Sequence, residues 1–75
     1  MITTGHIIRK INHTHSDAIE YNLGKVMGGV AFARGIFALC NDPEAMAHLE
    51  GRAVGTSTMF LKGWNVGNTQ ARLAA

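Results

Sequence analysis

The chain has 75 residues, of which 47% are hydrophobic and 16% are charged, and its formal net charge is +2. This length allows a single domain, and the composition is too apolar for a disordered protein. The seven lysines and arginines are dispersed along the chain, which excludes a protein that holds nucleic acid by dense positive charge alone.

Cys40 is the only cysteine, so the chain cannot stabilise its small core with an internal disulfide. A single thiol is typical of a reducing compartment, and we therefore predict a cytoplasmic protein. Domains of this size usually need a further source of stability, which leads us to expect a homo-oligomer. The most apolar stretch, residues 26–40, is shorter than the roughly 20 residues of a membrane span and contains Arg34, so no membrane association is expected.

Residues 1–14 are predicted to form an extended N-terminal arm, because Ile7, Ile8 and Ile11 are β-branched. The arm either lies along the body of the protein or pairs as a strand with its copy in a dimer. Residues 15–75 are predicted to form a single helical domain.

A long helix is predicted over residues 16–40. Thr14 or Ser16 can cap it, and Asp17 and Glu20 suit the positive end of the helix dipole. Apolar residues then recur at alternating spacings of four and three, the pattern of a buried helical seam. This seam comprises Ile19, Leu23, Val26, Val30, Ala33, Phe37 and Cys40.

A line of small residues runs beside the seam, and it includes several glycines. Each glycine costs a helix about 1 kcal/mol relative to alanine, so their number needs a reason. Close approach of another backbone is one reason, and a helix broken at Gly28-Gly29 is the alternative. We predict a helix-packing or oligomer interface made of Gly24, Gly28, Ala31, Gly35, Phe37 and Phe60.

Two further helices are predicted. Asn41 or Asp42 can cap a short helix over residues 43–50, because proline is favoured at the first helical position. A loop that ends in hydroxyl-bearing residues leads into the last helix, over residues 58–73. Its apolar face would pack on the long helix, so the expected fold is all-α, an antiparallel helical hairpin joined by a short helix.

No residue pattern predicts an active site. The only candidate nucleophile and base are Cys40 and His48, and the thiol is expected to be buried and inert because it falls in the apolar seam. His6, His13 and His15 are an incomplete ligand set for zinc. We therefore predict that the chain is not an enzyme and has no metal site, no cofactor and no small-molecule substrate.

The stretches AFARGIFA at residues 31–38 and FLKGWNVG at residues 60–67, with Pro43 between them, resemble the ribosome modulation factor family and its small phage-borne relatives. The resemblance covers about residues 21–72. It implies a cytoplasmic two-helix protein that binds the bacterial ribosome and promotes inactive ribosome dimers. By this resemblance the partner-binding residues would be Arg34, Lys62, Trp64 and Arg72, although a tryptophan buried in the core is the alternative for Trp64.

Two functions are consequently predicted. The first is a non-enzymatic protein of phage or mobile-element origin that binds a bacterial host protein and modulates or inhibits it. The second is a ribosome-associated factor that contacts ribosomal RNA or protein, as the resemblance implies. The mild net charge and the carboxylates of Asp42, Glu44 and Glu50 argue against the second function, because carboxylates repel RNA.

Overall fold

A computed structural model describes residues 17–75 in full and, ahead of them, only the backbone that residues 3–16 contribute to the first helix. Three α-helices are present: α1 (Thr3–Ala33), α2 (Pro43–Leu49) and α3 (Val54–Ala74), with a short 3₁₀ turn at Leu39–Asn41. The described residues contain no strand, so the all-α prediction is confirmed. Within the residues that are described, no helix combines the length and the apolar character that crossing a bilayer requires.

The predicted N-terminal arm, residues 1–14, lies outside the residues that are described in full. Its extended conformation is not confirmed, since the bounds of α1 include residues from Thr3 onward. The side chains of His6, His13 and His15 lie outside the described part of the chain as well.

Helix α1 ends at Ala33 and not near residue 40, because Gly35 adopts a left-handed backbone conformation with a φ of 80°. The Gly35 amide donates to the Phe32 carbonyl (2.9 Å), and the Ile36 amide donates to the Ala31 carbonyl (2.8 Å). These two hydrogen bonds form a Schellman motif, which closes a helix at a glycine. Gly35 therefore terminates α1, and its predicted place in the packing line is wrong.

Helix α2 begins as the sequence predicts, with Asp42 as its cap and Pro43 in its first turn. The Asp42 Oδ1 atom accepts hydrogen bonds from the amides of Glu44 (3.2 Å) and Ala45 (3.4 Å). These bonds satisfy amides that have no partner inside the helix.

Helix α3 begins at Val54, four residues before its predicted start. The Ser57 amide donates to the Ala53 carbonyl (2.9 Å), and the Thr58 hydroxyl donates to the Val54 carbonyl (2.9 Å). The hydroxyl-bearing residues that were predicted to end a loop thus lie within the first turns of α3, where the Thr58 hydroxyl bonds back to a carbonyl.

Helices α1 and α3 run parallel to each other. Gly24 lies against Phe60 and Gly63, whereas Gly28, one turn later in α1, lies against Trp64 and its neighbours in the next turn of α3. The contacts therefore advance in the same direction along both helices. The predicted antiparallel hairpin is wrong, because short connections join antiparallel neighbours while here residues 34–53, including α2, form a long return path.

The return path is fixed near the middle of α1 at Glu20, whose side chain is buried. His48 Nε2 lies 2.7 Å from Glu20 Oε1, and Arg52 Nη1 lies 3.6 Å from Glu20 Oε2. The His48 ring also lies against the Phe60 ring, with 4.5 Å between their centroids. These contacts bring the chain back to the level of Glu20, from which α3 runs beside α1.

The contact between α1 and α3 is made by backbone atoms at glycines. A Cβ atom added to Gly24 would lie less than 3.0 Å from the Phe60 carbonyl oxygen, and one added to Gly28 less than 3.0 Å from the Trp64 carbonyl oxygen. Side chains larger than hydrogen cannot occupy these positions without moving a helix.

The same relation holds in the opposite direction. Gly63 and Gly67 of α3 lie against the carbonyl oxygens of Tyr21 and Lys25, again too close for a Cβ atom. Each helix thus places two glycines, four residues apart, against two carbonyls, four residues apart, on the other. This arrangement brings Cα–H groups to carbonyl oxygens, a weak attraction that recurs at close helix contacts.

The predicted apolar seam is not the buried face of α1. Ile19 is 48% exposed, Val26 is 63% exposed and Cys40 is exposed as well, so the expectation of a buried thiol is wrong. Phe37 is 59% exposed and its ring lies against that of Phe32, so Phe37 takes no part in the contact with α3. The buried apolar core instead comprises Ala31, Ala45, Phe60 and Trp64, with Leu23, Met27, Ile36, Leu39 and Leu49 packed against it.

Candidate binding surfaces

Trp64 is a core residue, with 1% of its surface exposed. Its indole Nε1 donates to Asp42 Oδ2 at 2.9 Å, while Oδ1 of the same carboxylate caps α2. Asp42 is itself 4% exposed. The carboxylate thus joins α2 to α3, and the indole is not available to stack on a base of a partner.

Asn68 is a second buried polar residue, 3% exposed, and it joins α3 to the end of α1. Its Nδ2 donates to the Gly28 carbonyl (3.0 Å) and to the Ile36 carbonyl (2.9 Å). Both carbonyls would lose a partner if the amide were removed, and buried polar groups without partners are costly.

Asn68→Ala is therefore expected to lower the free energy of unfolding by about 1–3 kcal/mol. Asn65→Ala, which removes the same amide from an exposed position of the same helix, should leave it unchanged within about 0.5 kcal/mol. Urea denaturation followed by circular dichroism measures both. Equal changes in the two variants would show that the buried hydrogen bonds of Asn68 do not contribute to stability.

Several ionisable side chains in the described residues are engaged with one another. Asp42 accepts three hydrogen bonds, Glu20 binds His48, and Glu44 is ion-paired with Arg34. The Cys40 sulfur lies 3.9 Å from the Asn41 side-chain oxygen, and His48 is directed to Glu20, so the thiol and the imidazole considered as a catalytic pair are not brought together. These groups hold the helices in place.

A surface groove with a volume of about 210 Å³ lies where α2 meets the end of α1. It is lined by Met27, Val30, Ala31, Arg34, Asp42 and Glu44. The Arg34–Glu44 ion pair lies across it, and the buried Asp42 carboxylate already has three donors. The polar side chains that line the groove are therefore already paired with one another or with backbone amides, and few polar groups are left to bind a ligand.

One exposed surface is formed by polar side chains of α3. We call it the α3 outer face and define it by Lys62, Asn65, Thr69, Gln70 and Arg72, all of which are exposed. Helix α3 contains no aspartate or glutamate, so the charges of Lys62 and Arg72 are not neutralised within the helix.

A second exposed surface lies on α1, on the side that does not contact α3. We call it the α1 outer face, and it carries no charged side chain. Exposed helix faces normally carry charges, and a helix that is apolar on all sides is normally buried on all sides. The face comprises Ala18, Ile19, Asn22, Val26, Gly29, Val30 and Ala33.

The four residues predicted to bind a partner do not form one site. Lys62 and Arg72 lie on the α3 outer face, Arg34 is exposed but ion-paired with Glu44 near α2, and Trp64 is buried. Of the six residues predicted for helix packing, Gly24, Gly28 and Phe60 lie in the contact between α1 and α3, and Ala31 lies in the core. Gly35 and Phe37 lie outside both.

Sequence reasoning missed the partners of the buried polar residues. Asp42 was recognised as a cap but not as the acceptor for Trp64, and the Glu20–His48 pair spans 28 residues. Contacts over such distances leave no local pattern. The absence of acidic residues from α3, by contrast, is visible in the sequence and could have indicated the α3 outer face.

Comparison of the chain with protein-family models, with curated proteins and with solved structures finds no match.

Proposed function

We propose that this chain is a small non-enzymatic helical protein that associates with the bacterial ribosome through the α3 outer face. The observation that carries the proposal is the separation of charge on the surface: an exposed helix face with Lys62 and Arg72 and no carboxylate. Proteins contact nucleic-acid phosphates with lysine and arginine, supplemented by the hydroxyl and amide donors of threonine, asparagine and glutamine.

The low net charge of the chain argues less strongly against RNA binding once the positions of the carboxylates in the structure are considered. The acidic residues that argued against RNA lie on other elements, and the α2 carboxylate of Glu44 is paired with Arg34. Asp42 is buried and accepts a hydrogen bond from Trp64, and Glu50 lies at the end of α2. RNA approaching the α3 outer face would therefore meet Lys62 and Arg72 with no carboxylate of α3 beside them.

The resemblance to ribosome modulation factors supports the proposal through the way the helices pack. The residues that carry it in the last helix, Phe60, Gly63, Trp64 and Gly67, are all buried in the contacts of α3. These residues pack α3 against α1 and the core. Recognition of the ribosome would depend on the exposed residues between them and after them, such as Lys62.

Binding to purified bacterial ribosomes, measured by co-sedimentation at several salt concentrations, tests the proposal. Affinity should fall steeply with ionic strength, and Lys62→Gln/Arg72→Gln should weaken binding and lower the slope of log affinity against log salt by about one for each cation. Both residues are exposed, so the thermal unfolding of the double variant should match that of the parent.

The matched control is Met46→Glu/Ala47→Glu on α2, which also brings the formal net charge from +2 to 0 but leaves the α3 outer face intact. It should retain binding. Equal weakening by both double variants would mean that net charge alone governs binding, and unchanged binding by Lys62→Gln/Arg72→Gln would exclude this face as the contact.

A second candidate function is the modulation or inhibition of a bacterial host protein through the α1 outer face. The observation that favours it is the exposure of Val26 and Val30 on a surface without charge. Association through such a face would be insensitive to salt. A tagged chain that captures one non-ribosomal protein from bacterial lysate, and loses it on Val26→Glu but not on Lys62→Gln/Arg72→Gln, would support this candidate.

A further inference from the structure

The aromatic side chain that the structure leaves exposed is Phe37 and not Trp64. The chain has three phenylalanines, one tyrosine and one tryptophan, all of them within residues 17–75. Phe37 is 59% exposed, whereas each of the other four is buried or half-buried. Exposed aromatic rings of RNA-binding proteins stack on unpaired bases, and among these five residues Phe37 is the one with the exposure that stacking requires.

Two hydrogen bonds hold the backbone next to Phe37. The Ile36 amide donates to the Ala31 carbonyl (2.8 Å), and the Ile36 carbonyl accepts a hydrogen bond from Asn68 Nδ2 (2.9 Å). The Phe37 ring lies against the Phe32 ring, with 5.5 Å between their centroids. The ring is therefore presented on a backbone that is already ordered, and a base that stacks on it does not have to order a loop.

The hydrogen bond from Asn68 places this loop beside the α3 outer face. Asn65 precedes Asn68 by three residues and Arg72 follows it by four, so both are its neighbours on the helix surface. Both are exposed and belong to the α3 outer face. Phe37 directly follows the residue that Asn68 binds, so it borders the edge of the α3 outer face that carries Asn65 and Arg72.

Four polar residues of the α3 outer face form a line that leads to this edge. They are separated by three, four and three residues, so they lie along one side of α3; they are Lys62, Asn65, Thr69 and Arg72. The two cations stand at the ends of the line, about 15 Å apart along the helix axis. A line of hydrogen-bond donors with a cation at each end can contact more than one phosphate of the same strand.

The carboxylates nearest to Phe37 in the sequence are already engaged. Asp42 is 4% exposed and accepts hydrogen bonds from the amides of α2 and from the Trp64 indole. Glu44 is ion-paired with Arg34. These contacts reduce the repulsion that either carboxylate exerts on a phosphate near Arg72.

From this juxtaposition we infer that the α3 outer face and Phe37 together bind single-stranded RNA, with an unpaired base stacked on the Phe37 ring and the adjoining phosphates held by Arg72 and Lys62. The inference rests on the proposed association with the ribosome and specifies the form of RNA that is bound. A duplex offers phosphates to the two cations, but its bases are stacked on one another and none is free for Phe37.

Fluorescence anisotropy with a labelled oligoadenylate RNA of about 12 nucleotides, within the site sizes of single-strand binders, tests the inference. Phe37→Leu removes the aromatic ring but keeps an apolar side chain against Phe32, and it should weaken binding by about fivefold or more, the effect of losing one stacked base. Phe37→Tyr, which keeps a ring, should bind like the parent. Val54→Ala, which shortens an apolar side chain that is 83% exposed at the other end of α3, should also bind like the parent.

Salt concentration separates the stacking from the charge contacts. Phe37→Leu should lower the affinity by the same factor at every salt concentration, because stacking releases no counterions. Lys62→Gln/Arg72→Gln should instead lower the slope of log affinity against log salt.

Two further RNAs separate the base from the phosphates. An abasic strand of the same length keeps the phosphates but has no base to stack, so it should bind the parent and Phe37→Leu equally. A duplex of the same length should be insensitive to Phe37→Leu as well. Phe37 is exposed, so the circular dichroism spectrum of Phe37→Leu should match that of the parent.

Several outcomes would overturn the inference. No binding of oligoadenylate by the parent, or equal binding by the parent and Phe37→Leu, excludes a stacked base. An equal loss of affinity for oligoadenylate and for the abasic strand shows that Phe37→Leu displaces the α3 outer face. Unchanged RNA binding by a Phe37→Leu variant that no longer captures a host protein assigns Phe37 to a protein contact.

Co-sedimentation with ribosomes keeps this inference separate from the proposed function. If Lys62→Gln/Arg72→Gln weakens ribosome binding while Phe37→Leu changes neither ribosome nor oligoadenylate binding, the proposed function stands and the stacking contact is excluded. If the parent binds oligoadenylate with the expected loss in Phe37→Leu but does not bind ribosomes, the single-strand contact stands and the ribosome is excluded as its partner.

Discussion

Gly28→Leu is expected to unfold the protein or to lower its free energy of unfolding by about 3 kcal/mol or more, at the upper end of overpacking changes. The first added atom, Cβ, would already lie within 3.0 Å of the Trp64 carbonyl oxygen and close to the Asn68 amide nitrogen. These are backbone atoms of a helix, which cannot move aside as a flexible side chain can. A chain of this size has only about 3–5 kcal/mol to lose.

Gly29→Leu is the matched control, because it places the same side chain one residue later on the same helix. The position faces open space in the single chain, so leucine should stabilise α1 by up to about 0.8 kcal/mol through its higher helix propensity. Urea denaturation at low protein concentration, where self-association does not contribute, measures both variants. Similar stabilities for the two variants would mean that α1 and α3 are not in backbone contact at Gly28.

Helix content and the cap of α2 could be predicted from the sequence, since both depend on local patterns. Proline after Asp42, and apolar residues at helical spacing, have the same meaning in any fold. The end of α1 could have been predicted as well. Gly35 was assigned to a line of small residues, although glycine followed by an apolar residue after a helical stretch is also the pattern of a Schellman motif.

The choice of the buried face could not be predicted from one helix alone. Alternating spacings of four and three occur both in the apolar seam with Ile19 and in the glycine line with Gly24, and hydrophobicity favours the first. The glycine line is the buried one because α3 carries its own glycine pair, Gly63 and Gly67, and two such pairs allow the helix backbones to touch. Most of the apolar seam, Leu23 excepted, is therefore exposed, and its exposed part on α1 contributes to the α1 outer face.

The direction of α3 followed from contacts that no local pattern records. An antiparallel hairpin was the simplest reading of two long helices and a linker. The parallel arrangement depends on the return of the chain to Glu20 through His48 and Arg52, and on the hydrogen bond that Trp64 donates to Asp42. The role of Trp64 could not be predicted for the same reason. Tryptophan is a residue type that contacts nucleic acid, but this tryptophan is buried in the core.

Asp42→Ala is expected to lower the free energy of unfolding by about 2–4 kcal/mol, the sum of a lost helix cap, about 1 kcal/mol, and a buried donor without a partner, about 1–3 kcal/mol. One carboxylate performs both tasks: Oδ1 caps α2 and Oδ2 accepts from the Trp64 indole. Trp64 is the only tryptophan, so its fluorescence during urea denaturation reports directly on this contact. The exposed Glu44, changed to alanine, should cost no more than about 1 kcal/mol, as expected for a surface ion pair.

The two tasks of Asp42 can be separated by a double-mutant cycle. Asp42→Ser retains an oxygen that can cap α2 but is too short to reach the indole, and Trp64→Phe removes the indole donor while keeping an aromatic ring in the core. Because each change removes the same hydrogen bond, their combined cost should be smaller than the sum of the single costs by about 1 kcal/mol or more, measured by circular dichroism. Strict additivity would mean that Asp42 stabilises the fold through the cap alone. In that case α3 would be positioned by its glycine contacts with α1, and α2 would contribute little to the parallel arrangement.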